Sequence, residues 1–303
     1  MKKDKIIIGS RGSKLALIYA EKVKLELEKE FSNKIDIKKI VTSGDENQKD
    51  RLSNLGGKGL FSKKIEIELI EKNIDLAVHA LKDMPSDETN GLITNCYLKR
   101  NFPNEVLISK NNLTLNKLKP KSIVGTSSFR REYQLKNIRS DLFYKLIRGN
   151  VDTRINKVND GLYDAIILSK AGVDSLNLKQ HISQEFSVNE IIPSIGQGII
   201  AIQCRADDLE MIELLKKVNH ETTNICATAE REVLKILEGD CNTAIGAFSF
   251  IEEQNLNLVA ELFSIDGKKR YYCSLINKIN FAKQLGEEVG NILKKKSKKN
   301  YKR

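Results

Sequence analysis

The sequence predicts two doubly wound α/β lobes followed by a small α+β domain. Three observations carry this reading. Strand-like and helix-like segments alternate through the first two hundred residues. After Glu221 the pattern changes to grouped strands closed by a helix. A chain of 303 residues with 40% hydrophobic content supplies material for two or three cores. Alternation of this kind implies βαβ units, with helices covering largely parallel sheets.

In chain order, residues 5–10 read as a buried strand. Residues 13–31 read as a helix, with Ala16, Ala20, Val23, Leu27 and Phe31 on one face. A strand over 35–41, a helix over 61–73 and a buried strand over 74–81 complete the first set. The polar, glycine-containing stretch 43–58 reads as a mobile loop. The second set is a strand at 122–126, a helix from Ser128, a strand at 144–147, a helix from Asn150 and a strand at 164–168. Residues 199–204 form one more apolar strand, which can return to the first lobe. The last part reads as a helix over 230–237, strands at 244–251, 256–265 and 270–276, and a helix over 281–296. The expected division is 1–98 with 199–217, then 104–193, then 221–303.

Composition excludes several classes. No apolar run approaches the ~18 residues of a membrane-spanning helix. Only three isoleucines precede Gly9, too few for a signal-peptide core, so a cytoplasmic protein is expected. Seven of the eleven net positive charges fall in the last ten residues, which read as a solvated, frayed tail without aromatic interleaving. Neither a nucleic-acid nor a membrane partner is expected from that run. The five cysteines are odd in number and form no C-x-x-C, and the three histidines are scattered. No metal site or disulfide framework is expected.

Arginine usage gives the best physical clue to a site. The chain has 39 lysines and 12 arginines, yet Arg130, Arg131, Arg139, Arg148 and Arg154 lie within 25 residues. The planar guanidinium grips carboxylate or phosphate through two parallel bonds. Strand ends and helix starts, where these arginines fall, are where α/β lobes bind anions. The spacing alone fits surface salt bridges equally well. Arg11 lies in the comparable turn Gly9–Ser13, where Ser13 is placed to cap a helix. Asp83 follows the strand 74–81, in a turn enforced by Pro85. It reads either as an acid projecting into a cleft or as a solvated partner of Lys82. Cys241 lies in a polar loop, where a thiol is accessible. The other four cysteines have apolar or strand-like neighbours and read as packing residues.

Taken together, the motifs GSRGSKLAL (9–17), GGKGLF (56–61), DLAVHALKDMP (75–85), GTSSFRR (125–131), RGNVDTR (148–154), IGQG (195–198) and GDCNTAIG (239–246) resemble the porphobilinogen deaminase family, in family order. The resemblance covers nearly the whole chain. It implies two lobes like those of two-lobed solute-binding proteins, with a cleft between them and a third domain presenting the cysteine loop. It further implies a transferase of tetrapyrrole, and hence haem, biosynthesis. Four porphobilinogen molecules would lose ammonia and be joined head to tail on a dipyrromethane primer held by a thioether to Cys241. Water would then release hydroxymethylbilane. Asp83 matches the catalytic aspartate. Lys82, Thr126, Ser128, Arg130 and Arg131 match cofactor contacts, with Asp83 and Cys241. Arg11, Ser13, Arg148, Arg154, Gln197, Lys58 and Phe61 match substrate contacts, the last two in a lid loop. Ser175 and Asn54 stand where many members carry basic residues. A monomer is expected. A non-catalytic anion-binding protein and a nucleic-acid binder using the tail are the competing readings.

Overall fold

The computed structural model describes residues 3–42, 59, 62–240 and 243–301. The expected mobile loop, Lys58, Phe61 and Cys241 lie outside the described residues. The first lobe opens with β1 (Lys5–Arg11), α1 (Lys14–Leu27), β2 (Lys34–Ile40), α2 (Lys63–Ile70), β3 (Leu76–Ala80) and β4 (Leu92–Tyr97). The chain then crosses to the second lobe. That lobe comprises β5 (Glu105–Ser109), β6 (Ile123–Gly125), α3 (Phe129–Ile138), β7 (Phe143–Lys145), α4 (Val151–Asn159), β8 (Ala165–Ser169), α5 (Lys170–Ser175) and β9 (Gln184–Glu185). It returns through β10 (Ile200–Arg205) and α6 (Leu209–Val218).

The two described sheets share one topology, β2-β1-β3-β10-β4 and β7-β6-β8-β5-β9. The largely parallel sheets expected from the sequence are present, with one reversed strand in each. The first three strands of each run parallel, but β10 pairs antiparallel with β3 and β4, and β5 with β8 and β9. The reason is connectivity: β5 and β10 are the strands by which the chain enters the second lobe and re-enters the first. Helices cover both faces of the first sheet. Ala20, Val23 and Leu27 of α1 pack with Ile6, Ile8, Leu76 and Ile202 on one side. Ile65 and Leu69 of α2 pack with Ile40, Ile74 and Ala77 on the other. Each such valine, leucine or isoleucine contributes about 1.5–3 kcal/mol on full burial. The second lobe repeats the plan, with Leu107, Val124, Leu135 and Ile167 facing one way and Val106, Ile155, Ile166 and Leu168 the other.

The chain ends in α7 (Glu221–Ile236), the antiparallel meander β11 (Ile245–Glu252), β12 (Asn255–Phe263) and β13 (Arg270–Lys278), and α8 (Ala282–Ser297). Gly286 lets α8 press onto α7, because a Cβ there would lie 2.3 Å from the Ala229 carbonyl oxygen. The basic tail is not frayed over its described part. Tyr301 is 2% exposed and donates to the Leu237 carbonyl at 3.2 Å, which anchors the segment after α8. Among the described residues no helix is long and apolar enough to cross a membrane.

Candidate active site

The cleft forms where strand ends and helix starts of both lobes meet the last domain. Its wall includes Lys82, Asp83 and Pro85 of the first lobe and Ser128 and Arg130 of the second. Ile195 of the return crossover and Asp240 and Thr243 of the C-terminal domain also line it, as does Gly59.

On the first-lobe side, β1 and β3 are parallel neighbours, so their C-terminal ends lie side by side. β1 ends at Arg11. β3 runs into a single 3-10 turn, Leu81–Asp83, which stops because Met84 is extended before Pro85. Arg11 Nη1 therefore stands 3.9 Å from Asp83 Oδ2. Arg11 is the cation that Asp83 faces, rather than Lys82 as the solvated-turn reading required. Ser13 caps α1, its Oγ accepting from the Ala16 N–H at 3.4 Å. Lys82 Nζ approaches Gln197 Oε1 at 3.5 Å. Gln197 is fully buried and donates to the Pro103 carbonyl at 2.6 Å, so it stands behind the wall and reaches the cleft through Lys82. The tight crossover beside it depends on Gly198, where a Cβ would lie 2.6 Å from the Asn101 carbonyl oxygen.

On the second-lobe side, Ser128 caps α3 by accepting from the Arg131 N–H at 3.4 Å, and Thr126 Oγ1 accepts from the Ser128 N–H at 3.2 Å. Ser128 lines the cleft, whereas Thr126 is 2% exposed and supports it from behind. Arg130 and Arg131 converge on Glu105, which is 0% exposed and was not anticipated. Arg131 Nε and Nη2 donate to its two oxygens at 3.0 and 2.7 Å, and Arg130 Nη2 donates to Oε1 at 2.5 Å. An acid opening the apolar run E-V-L-I-S was the available signal, since a buried carboxylate needs cationic partners. Arg148 follows a short loop from β7. Arg154 lies one turn into α4, its Nε donating to the Gly149 carbonyl at 2.8 Å. The fifth arginine of the cluster takes the salt-bridge alternative: Arg139 binds Asp141 at 2.8 Å and the Leu115 and Leu118 carbonyls.

Among the described residues around the cleft, cations outnumber acids. Burial, then Arg131, pushes the Lys82 pKa down to about 8, with Asp83 and Glu105 opposing. Burial, then Arg131 and Arg148, brings Arg154 down to about 10, against Asp83. Arg148 is lowered by burial and by Arg11 from the opposite lobe. Cations that weaken one another in this way hold strong affinity for an anion. Behind the wall, His79 is buried and held neutral, its pKa brought to about 4 by burial and by Arg11.

Asp240 and Thr243 bracket Cys241 and are tied to each other. The Asp240 N–H donates to Thr243 Oγ1 at 3.2 Å, and Thr243 Oγ1 donates to Asp240 Oδ1 at 3.1 Å. The other four cysteines are buried, and burial raises each thiol, to about 12 for Cys96 and about 11 for Cys204 and Cys226.

Residues 6–213 match the family model of the porphobilinogen deaminase dipyrromethane cofactor binding domain, and residues 224–295 match that of the C-terminal domain. A porphobilinogen deaminase of Staphylococcus carnosus is 42% identical over 298 residues, covering 97% of this chain and 96% of that protein. One of Macrococcus caseolyticus is 43% identical over 269 residues, covering 88% of each. Among solved structures, an ancestral arginine-binding protein aligns over 72% of this chain and 92% of its own at 13% identity and a TM-score of 0.40. With two domain models spanning most of its length and relatives of this identity over nearly all of it, the chain belongs to the porphobilinogen deaminase family.

Proposed function

We propose that the cleft between the lobes is where this enzyme carries out hydroxymethylbilane synthesis, with Asp83 as its catalytic group and Cys241 as the attachment point of its cofactor. The observation that carries this reading is the carboxylate of Asp83 opening into a cleft it shares with Lys82 and Arg130, with Arg11 3.9 Å away and Arg148 and Arg154 in the surrounding field. The residues fit a dipyrromethane: its carboxylates match the unbalanced positive charge, and Asp240 and Thr243 put the two flanks of the cysteine loop on the cleft wall. When bound, the dipyrromethane supplies the pyrrole carbon from which the chain is extended.

The chain's own residues account for the rest. Loss of ammonia from porphobilinogen leaves positive charge on the pyrrole. Asp83 faces that charge, accepts from the pyrrole N–H and offers an oxygen for proton movement. Arg11 orients the Asp83 carboxylate and, with Arg148 and Arg154, holds the acetate and propionate groups of the incoming substrate. Ser13 and Gln197 assist, the latter through Lys82, and Lys58 and Phe61 belong to the same set. Arg130 and Arg131, fixed by Glu105, hold the primer's carboxylates with Lys82, Thr126 and Ser128. The guanidinium groups stay charged and bind without reacting, and Lys82 binds in its protonated form, which dominates below its pKa of about 8. Residues 1–98 with 199–217, 104–193 and 221–303 act as the three domains, a division supported by sheet membership.

A monomer working in the cytoplasm is part of the same reading. On the edge strand β13, Lys296 Nζ donates to the Tyr272 carbonyl at 2.8 Å. Antiparallel self-pairing would set Arg270 against Lys278 of a second copy. The four described free thiols suit a reducing compartment. Intact-mass measurement of purified protein tests the assignment. The expected result is an adduct of one dipyrromethane that gains porphobilinogen-derived pyrroles on incubation with substrate. An active protein of unmodified mass overturns it.

A further inference from the structure

Leu15, Tyr19 and Lys22 recur on one face of α1. That face meets α5 of the other lobe. Leu15 Cδ2 lies 3.6 Å from where a Cβ on Gly172 would sit. Lys22 Nζ donates to Ser175 Oγ at 3.4 Å. Burial, then the field of Asp83, raises the pKa of Tyr19, which is 9% exposed, and Ser175 opposes the rise. Polar groups of two lobes thus converge on one serine at the seam beside the cleft.

The seam works against an opposing force. Across the cleft, Arg11 of the first lobe faces Arg148 of the second, and Lys82 faces Arg130 and Arg131. Like charges on facing, partly desolvated walls repel. Among the described residues, Asp83 and Glu105 offset only part of this charge at Lys82. A polyanionic pyrrole chain relieves the repulsion once it fills the cleft. Before that, contacts made by the protein itself must hold the walls together.

We propose that Tyr19, Ser175 and Lys22 form a clasp between the lobes, which holds the cleft closed against the repulsion of its cationic walls until the growing polyanion takes over. The clasp keeps Arg148 and Arg154 of the second lobe within reach of Arg11 and Asp83 of the first. Its members are positioning residues: they touch no reacting atom. The inference rests on the reading of the cleft as the pyrrole site and adds to it the element that sets its width.

The test uses holoprotein carrying Tyr19→Phe, Ser175→Ala or Lys22→Met, compared with wild type between ~0.01 M and ~1 M salt, where the screening length falls from about 30 Å to about 3 Å. Small-angle scattering should give a larger radius of gyration for each variant at low salt and the wild-type value at high salt. KM for porphobilinogen should rise about three- to tenfold at low salt, the range expected for one hydrogen bond, with kcat little changed. The ratio of variant to wild-type KM should fall towards one as salt screens the walls. Tyr19→Phe combined with Lys22→Met should cost less than the two separately, since both act through Ser175. Wild-type radii at low salt, or a KM ratio that ignores salt, would overturn the clasp. Scattering needs no turnover, so it still reads the clasp if the assignment of the cleft fails.

Discussion

Arg11 and Asp83 stand 3.9 Å apart at the ends of two neighbouring parallel strands, too far for a direct hydrogen bond and close enough to hold the carboxylate's direction. The spacing leaves the oxygens of Asp83 open to pyrrole N–H donors. Asp83→Asn keeps the shape and removes the charge. It should fold and assemble as wild type yet lose on the order of 10²–10³ in turnover, the usual cost of one preorganised electrostatic group. Single-turnover kinetics on protein whose mass shows the adduct is the check. Near-wild-type turnover there would remove Asp83 from the mechanism.

The arginines should separate by what each holds when the cleft is empty. Arg131 is paired with Glu105, so Arg131→Leu leaves a buried carboxylate short of its main partner. It should lower stability by about 3–5 kcal/mol as well as impair cofactor retention. Arg11 is partly exposed and faces Asp83 at longer range. Arg11→Leu should keep the cofactor and near-normal stability, and stall with bound intermediates visible in native mass spectra. Urea unfolding beside intact mass distinguishes the two. Equal losses of stability in both would return these arginines to a purely structural role.

Much of this arrangement is readable in the residues, and the exceptions have physical causes. β1, β3, β8 and β10 are apolar runs and announce themselves. β4, L-I-T-N-C-Y, mixes polar residues into its run, and β5 opens with a glutamate, so neither reads as a core strand. Their antiparallel pairing follows from where the crossovers land, which local pattern does not encode. The same holds in the site. Arg130 and Arg131 stand out against a lysine-rich background, but Glu105, 25 residues upstream, becomes their partner only when β5 is laid beside β8. Ser175 stands out in sequence only as a departure from a basic position and Tyr19 not at all, and nothing local in the chain pairs the two.

Lys82 offers a pH signature. Its pKa falls from 10.5 to about 8. Between those values the folded chain binds fewer protons than the unfolded one. The Lys82 contribution therefore makes stability rise with pH across that window, and the burial penalty is fully present below about pH 8. Carboxylates bound in the cleft should raise the pKa again. Competitive acetylation with peptide mass mapping should give Lys82 a pKa near 8 in cofactor-free Cys241→Ser protein and a higher one in holoprotein. Identical values in the two forms would show that no anion lies against Lys82.

Cys241→Ser is the most direct test of attachment. A thioether needs sulfur, and a serine oxygen does not form this stable link. The thiols of Cys96, Cys204 and Cys226 are buried and raised well above the ordinary range, and that of Cys273 is raised too, so each is poorly disposed to become the attacking thiolate. Asp240 and Thr243, on either side of the Cys241–Asn242 pair in sequence, line the cleft beside Lys82 and Asp83. The variant should carry no adduct, give no pyrrole colour with an acidic aldehyde reagent and make no bilane. It should also unfold at lower urea concentration than wild type, because a ligand that contacts the folded state alone stabilises it. Serine at each of the other four positions should leave the adduct in place. Peptide mapping of the five variants decides the matter: an adduct on any of the four buried thiols, or turnover by Cys241→Ser, would detach the chemistry of this chain from the loop between Asp240 and Thr243.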